Sequence, residues 1–467
     1  MTSDHPGPAA GAAETICAIA TPPGVGGVGI VRVSGPAVPQ LAQSLLGRLP
    51  RPRTATLVDI LSSSGELIDS GIALYFPQPH SFTGEHVLEL QGHGGRFVLQ
   101  GIVGRLLELG ARAARPGEFS QRAFLNDKLD LVQAEAIADL IESSTAAAAR
   151  AAQRSLQGVF SGRVHELQQQ LTALRAFVEA AIDFPEEEID FLADSDVLQR
   201  IGAAQRQVES LLDEAARGRL LRDGIVMAIV GRPNVGKSSL LNALSGQDSA
   251  IVTDIPGTTR DVLRELIDLD GIPVQVADTA GIRDSDDLIE AEGVRRARQA
   301  LAAADLILRV EQADREGPVS DDAGLELPEG VKALHVYNKT DLLPAAEQAD
   351  RYARQDPERV WISAQTGQGL QALRQRIGAA IGAGELGEGG GEGGGEGSFS
   401  ARQRHVDALQ RICAHLAAGA QVMEAFAAGE LLAEELRLAQ CALGEITGEM
   451  LPDDLLGEIF SSFCIGK

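Results

Sequence analysis

Residues Gly231 to Ser239, GRPNVGKSS, constrain this chain more than any other stretch. The pattern G-x-x-x-x-G-K-[ST] wraps backbone N–H groups around α- and β-phosphates, brings Lys237 to the β/γ-phosphate charge and places the Ser238 hydroxyl on Mg²⁺. Such a loop works between a strand and a helix N-terminus, so it dictates local architecture as well as ligand. Gly231 and Gly236 suit it because a side chain would hold the backbone away from the phosphates. The context agrees. Ile225 to Val230 (IVMAIV) is apolar and of strand length, and Ser238 to Gly246 (SSLLNALSG) has apolar residues at helical spacing and a terminal glycine.

Three further motifs follow in order and select the nucleotide. Asp278-Thr279-Ala280-Gly281 comes after the strand-like IPVQVA, where an acidic residue can hold the Mg²⁺ shell and a glycine N–H can meet the γ-phosphate. Asn338-Lys339-Thr340-Asp341 follows the apolar ALHVY. The Asp341 carboxylate can accept two hydrogen bonds from a guanine edge, whereas adenine would leave it unpaired, a mismatch that polar sites reject strongly. Ser363-Ala364, after VWI, fits the loop that backs the guanine oxygen. Four motifs in order over one domain predict GTP.

The residue after Gly281 is Ile282, which cannot orient water as the glutamine of small GTPases does. Beyond a polar stretch, Glu290 and Glu292 could reach the site through a water, although most acids of this segment, taken singly, read as a solvated loop. No arginine finger can be assigned. Asn234 offers an amide oxygen inside the phosphate loop, and a monovalent cation held there and by carbonyls of TDIPGTTRD (Thr253 to Asp261) would sit where a finger's charge is needed. Thr259 would complete the Mg²⁺ shell.

At 467 residues the chain has room for about three domains. Up to about Asn126, short apolar runs such as GIALYF and VLEL alternate with Gly and Pro turns, an α/β pattern. From Lys128 the pattern becomes helical, with Leu167, Leu171, Leu174 and Val178 on one face, and much later Val406, Leu409, Ile412 and Leu416 on another. The phosphate-binding segment lies between these helical blocks, which suggests an insertion. Glu385 to Ser398 (ELGEGGGEGGGEGS) cannot bury apolar surface and reads as a flexible tether or a tolerated surface insertion.

Net charge is −25, from 66 acidic and 41 basic residues, which argues against tight unaided nucleic-acid binding. A local basic surface would suffice for a partner to complete, and Arg112, Arg115, Arg122 and Lys128 are candidates. Cys17, Cys413, Cys441 and Cys464 have no metal or disulfide spacing, and no signal peptide or membrane-length span is visible, so a reducing cytoplasm is expected. Cys464 could be a packed residue or a reactive thiol.

The chain resembles the MnmE/TrmE family of tRNA-modification GTPases along nearly its whole length. Besides the nucleotide motifs, the resemblance rests on TPPGVGGVGI (Thr21 to Ile30), FTGEHVLELQGHGG (Phe82 to Gly95), ARPGEFSQRAFLNDKLDL (Ala114 to Leu131), EAAIDFPEEEIDF (Glu179 to Phe191) and the terminal FCIGK (Phe463 to Lys467). It implies an α/β plus α-helical fold: an N-terminal α/β tetrahydrofolate-binding and dimerisation domain (1–127), a helical domain in two parts (128–223 and 399–467), and an inserted Ras-like P-loop G domain (224–384) followed by the tether (385–398). Val25 stands where the family usually has Arg.

Carried over residue by residue, the resemblance implies nucleotide contacts from Asn234, Val235, Gly236, Lys237, Ser238 and Ser239. It adds Thr253, Asp254, Ile255, Pro256, Gly257, Thr258 and Thr259, then Asp278, Thr279, Ala280 and Gly281, then Asn338, Lys339, Thr340 and Asp341 with Ser363, Ala364 and Gln365. Mg²⁺ would be held by Ser238 and Thr259, and K⁺ by Asn234, Thr253, Ile255 and Thr258. Lys237 and Glu290 would be catalytic, Glu290 by positioning water, with Cys464 as a catalytic or structural thiol.

A formyl- or methylene-tetrahydrofolate donor would meet Arg32, Glu89, Lys128 and Lys467, a carboxylate pairing with pterin donors and cations with tail carboxylates. The implied protein is a homodimer without membrane attachment. It would form a heterotetramer with an FAD-bearing MnmG-type flavoprotein and install an aminomethyl-type group at carbon 5 of the tRNA wobble uridine, position 34. Two readings from other classes remain open here: a ribosome-assembly GTPase switch, which leaves FCIGK and the N-terminal domain without account, and a scaffold whose GTPase times assembly.

Overall fold

The computed structural model describes residues 14–183, 195–232, 234–246, 265–277, 301–314, 328, 330–354, 356–382, 398–426, 428–450 and 452–466. These fall into two compact units, one made of the described residues of 14–138 and 444–466 and the other of those of 139–443.

The first unit is built on a six-stranded sheet of β1 (Ile16–Ile19), β2 (Gly26–Ser34), β3 (Thr56–Leu61), β4 (Leu67–Phe76), β5 (Val87–Gly94) and β6 (Arg112–Ala113), in the order β3-β4-β5-β2-β1-β6. All neighbours are antiparallel except β1 and β6. Successive side chains of a strand point to opposite faces. Val31 and Val33 of β2 and Leu88 and Leu90 of β5 are therefore fully buried in the cluster that includes Leu41 and Leu45 of α1 (Val38–Leu46) and Ile102 and Leu106 of α2 (Arg96–Glu108). Arg32 and Glu89, one step out of phase, face each other in register on the opposite side.

The unit is completed by α3 (Glu118–Leu125), the first part of α4 (Leu131–Glu142) and the helix Asp453–Ser461. Phe460 and Phe463 pack with Leu131 and Ala134, and the Phe124 and Phe460 rings lie 6.2 Å apart. The C-terminal residues are thereby laid along the N-terminal fold. Gly117 donates its N–H to the Cys464 carbonyl at 3.3 Å. Gly466 has φ +95°, and a Cβ there would stand 2.4 Å from the Ile19 carbonyl, so only glycine fits.

In the second unit, α5 (Ala146–Leu156), α6 (Val159–Asp183) and α7 (Ser195–Asp223) precede a second six-stranded sheet, and the helices Gln403–Phe426 and Gly429–Thr447 follow it. Both apolar faces read from the sequence are buried: Leu167, Leu171, Leu174 and Val178 on α6, and Val406, Leu409, Ile412 and Leu416 on the later helix. Segments on either side of the insertion meet directly. The rings of Phe160 and Phe399 stack 4.3 Å apart, and Arg175 donates to Gln440 at 2.5 Å.

Two buried crossings secure the points where the chain enters and leaves the insertion. The Asp139 carboxylate, 6% exposed, binds Arg222 at 2.7 Å just before the inserted sheet and Arg402 at 2.8 Å just after it. Ser400 adds a hydrogen bond to the same carboxylate at 3.1 Å.

The inserted sheet consists of β7 (Ile225–Val230), β8 (Glu265–Leu269), β9 (Ile272–Ala277), β10 (Leu306–Gln312), β11 (Lys332–Asn338) and β12 (Arg359–Trp361), ordered β12-β11-β10-β7-β9-β8. It is parallel except for the β8–β9 hairpin. Strand β7 has β9 on one side and β10 on the other, so the loop leaving it opens at the switch point where open α/β sheets bind ligands.

Candidate functional site

The loop leaving β7 runs into α8 (Lys237–Ser245), which gives the strand–loop–helix that the phosphate-loop pattern requires. Its backbone is set by three residues with positive φ: Gly231 at +151°, Asn234 at +64° and Gly236 at +95°. The glycines also answer to space. A Cβ on Gly231 would lie 2.2 Å from the Val310 carbonyl, and one on Gly236 would lie 2.4 Å from Asn338 Nδ2. Lys237 arches back over the loop, its Nζ donating to the carbonyls of Gly231 at 2.6 Å and Arg232 at 3.0 Å. Ser238 and Ser239 are exposed at the helix N-terminus, and Val235 is buried beneath the loop.

Asn338, at the end of β11 and 2% exposed, is the centre of the arrangement. Its Nδ2 donates to the Val235 carbonyl at 2.9 Å, and its Oδ1 accepts from the Ala364 N–H at 3.0 Å. One carboxamide thus joins the phosphate loop to the Ser363–Ala364 loop. Lys339, itself at φ +64°, adds a second tie from Nζ to the Asn234 carbonyl at 2.6 Å. The Ser363 hydroxyl donates to Asp341 Oδ1 at 2.6 Å, which orients that carboxylate, and also accepts from the Thr366 N–H at 3.2 Å. Buried Thr340 is bonded to the Tyr352 hydroxyl. Gln365 is exposed at the rim.

Of the residues expected to handle nucleotide and metal, the structure brings together Asn234, Val235, Gly236, Lys237, Ser238, Ser239, Asn338, Lys339, Thr340, Asp341, Ser363, Ala364 and Gln365. Thr253, Asp254, Ile255, Pro256, Gly257, Thr258, Thr259, Asp278, Thr279, Ala280, Gly281 and Glu290 lie outside the described residues, as does Lys467.

The second cluster lies in the first unit. Arg32 bonds Glu89 at 2.9 Å through both Nε and Nη2, each bond falling on Glu89 Oε1. The guanidinium sits 5.7 Å from the Phe82 ring and 5.8 Å from the Phe119 ring, and its Nη1 reaches the Gly466 carbonyl at 3.5 Å. Lys128 is exposed, and its side chain lies beside the Gly84 turn, two residues from Phe82. Cys464 is exposed, and all four cysteines are free thiols. Burial pushes the Cys17 thiol up to about 11, so it is inert at neutral pH. Val25 is fully exposed.

The three arginines proposed as a basic surface are engaged with acids. Glu118, 2% exposed, accepts from Arg112 Nη2 at 2.6 Å, from the Arg115 N–H at 2.7 Å and from Arg122 Nη2 at 3.5 Å. Arg112 also pairs with Glu14 at 2.6 Å and Arg122 with Glu85 at 2.9 Å. Burial works to raise the Glu118 carboxyl, but the hydrogen bonds from Arg112 and the Arg115 backbone, with the charges of both arginines, hold it down to about 2. Glu118 was legible in part: Arg122 stands four residues after it, the spacing of neighbours on a helix.

A parallel sheet carrying a phosphate loop, an Asn-Lys-Thr-Asp strand end and a Ser-Ala loop on one rim defines a P-loop guanine-nucleotide site. The family model described as "GTP-binding protein TrmE N-terminus" matches residues 15–128, and "MnmE helical domain" matches 131–464. A protein of Alkalilimnicola ehrlichii named tRNA modification GTPase MnmE is 55% identical, covering 98% of this chain and 100% of that protein. Relatives of the same name from Hydrogenovibrio crunogenus and Stutzerimonas stutzeri are 53% and 54% identical, covering 97% and 98% of this chain and 99% of each relative. The chain belongs to the MnmE (TrmE) family of tRNA modification GTPases. The matched regions take in the N-terminal domain, which the ribosome-assembly reading left without account, and run to Cys464 of the terminal FCIGK. Among the described residues, no helix is long and apolar enough to cross a membrane, and no cluster of His, Cys, Asp or Glu could hold a metal ion.

Asn338→Ala removes both bonds of the carboxamide and leaves two backbone groups without their partners, each costing about 1–3 kcal/mol. GDP affinity, measured by titration calorimetry, is expected to fall by a factor of ten or more, with far-ultraviolet circular dichroism unchanged.

Glu118 gives a signed pH dependence. Its folded value is depressed below the ordinary 4.5, so its contribution to stability is complete above pH 4.5 and is lost as the pH falls towards about 2. Urea midpoints are expected to fall across that window in the parent and to fall less steeply in Glu118→Gln.

Proposed function

We propose that this chain hydrolyses GTP to drive modification of carbon 5 of the wobble uridine, position 34, of certain tRNAs. It works in the cytoplasm as a homodimer with a flavoprotein partner of the MnmG type and uses a tetrahydrofolate one-carbon donor. The observation that carries the reading is the Asn338 carboxamide, which holds the phosphate loop and the guanine-side loop in one rigid rim.

The residues fit the nucleotide. Positive φ at Gly231, Asn234 and Gly236 turns backbone N–H groups inward, and α8 presents its N-terminus to the phosphates. Lys237 exchanges its two loop carbonyls for phosphate oxygens, and Asp341, oriented by Ser363, accepts from the guanine edge. Ser238 is free of the protein interior and, with Thr259, would hold Mg²⁺. Asn234, exposed within the loop, would hold K⁺ together with Thr253, Ile255 and Thr258. The two cations supply positive charge against the phosphates during transfer. Glu290 orients the attacking water in place of the glutamine that Ile282 replaces.

The folate reading rests on the Arg32–Glu89 pair. Both bonds fall on Oε1, which leaves the other carboxylate oxygen to accept from a ligand with ring N–H donors, while exposed Phe82 offers a flat apolar surface. Lys128 and Lys467 would meet tail carboxylates. Cys464, exposed on the terminal segment that Arg32 touches through Gly466, would act as a thiol or shape that surface.

Phosphate release is expected to be much faster in K⁺ than in Na⁺ at equal ionic strength, with Asn234→Ala erasing the difference while GDP still binds. In a strain lacking the gene, Glu290→Ala is expected to lose wobble-uridine modification, and Arg32→Ala to lose it while retaining hydrolysis. Full modification with Arg32→Ala and Cys464→Ser would contradict the folate and thiol roles. Rates indifferent to the cation would contradict the K⁺ role.

A further inference from the structure

The β8–β9 hairpin joins two regions of the second unit that have different work to do. At one end β9 runs parallel to β7, with Ala277 level with Ala228, three residues before Gly231 of the phosphate loop. At the other end the Asp270–Gly271 turn is fixed to the helical part. The Thr145 hydroxyl, on a residue 6% exposed, donates to the Gly271 carbonyl at 2.8 Å and accepts from the Ala148 N–H at 3.1 Å, which caps α5. One oxygen therefore serves both the hairpin turn and the helix N-terminus.

The fit around this turn is tight. Gly271 has φ +93°, and a Cβ there would lie 2.7 Å from Ala147 Cβ. Gly224, at φ +66° between α7 and β7, would place a Cβ 2.1 Å from the Pro273 carbonyl. Ile272, 2% exposed, packs with Ala151 of α5 and Leu221 of α7. Strand β9 is held by β7 on one side and β8 on the other, and packed cores shift between discrete arrangements rather than deform continuously.

We propose that the β8–β9 hairpin is the strut that couples nucleotide state to the helical domain, with Thr145 as the positioning residue at its far end. The proposal rests on the GTPase reading above and adds the route by which the cycle leaves the inserted domain. Coupling is reciprocal, so the same contact lets the helical domain bias the nucleotide site.

Hydrogen exchange of the full chain tests it. In the parent, replacing GDP with a non-hydrolysable GTP analogue and Mg²⁺ is expected to change exchange of the first-turn amides of α5 several-fold. Thr145→Val removes the hydroxyl and Gly271→Ala disturbs the turn; both are expected to abolish that difference, while Thr145→Ser, which keeps the hydroxyl, preserves it. A purely structural cap would raise exchange equally in both nucleotide states and keep the difference, which would overturn the proposal, as would a parent that binds both nucleotides with no change at α5. Nucleotide affinity is measured on the same samples: a parent that binds no guanine nucleotide contradicts the GTPase reading itself.

Discussion

The carboxamide of Asn338 is the interaction on which the nucleotide site depends. It is buried, uses its donor and its acceptor, and ties together two loops more than a hundred residues apart in the chain. A buried amide with both ends satisfied fixes geometry far better than apolar contact, because any displacement leaves polar groups without partners. Its proximity also explains a demand made elsewhere: a side chain at Gly236 would drive into Asn338 Nδ2. The glycine of the phosphate loop thus answers to the base-reading strand as well as to the phosphates.

Around that rim the molecule is organised by where the chain crosses between its parts. Asp139 clamps the entry and exit of the inserted sheet through Arg222 and Arg402, and losing both pairs would leave its buried charge uncompensated. The first unit shows the same logic in its terminal residues. Phe460 and Phe463 supply apolar anchorage, and the glycines at 117 and 466 allow the backbone to pass close to its neighbours. The C-terminal segment is brought to the Arg32–Glu89 pair although 434 residues separate Arg32 from Gly466.

Much of this was legible in the sequence. The strands Ile225–Val230 and Ile272–Ala277 have the bounds of their apolar runs, because buried parallel strands are written as short continuous hydrophobic stretches. The helical faces were readable because their 3.6-residue period survives in every turn. The nucleotide motifs gave residue identities, since backbone and side-chain demands coincide at Gly236, Lys237 and Asp341. Long-range pairings were not legible. Nothing local marks Asp139 as the partner of Arg222 and Arg402, or Thr145 as the partner of Gly271, for such contacts depend on topology rather than on periodicity. The arginines at 112, 115 and 122 read as a basic surface in one dimension, whereas in the fold Glu118, Glu85 and Glu14 pair with them.

The central claim is that the rim built on Asn338 and Asp341 reads guanine. Titration calorimetry of the full chain with GDP and with ADP, in Mg²⁺ and K⁺, tests it most directly. The account predicts GDP binding tighter than ADP by about a thousandfold or more, since adenine leaves the Asp341 carboxylate unpaired. Comparable affinity for the two nucleotides would contradict it.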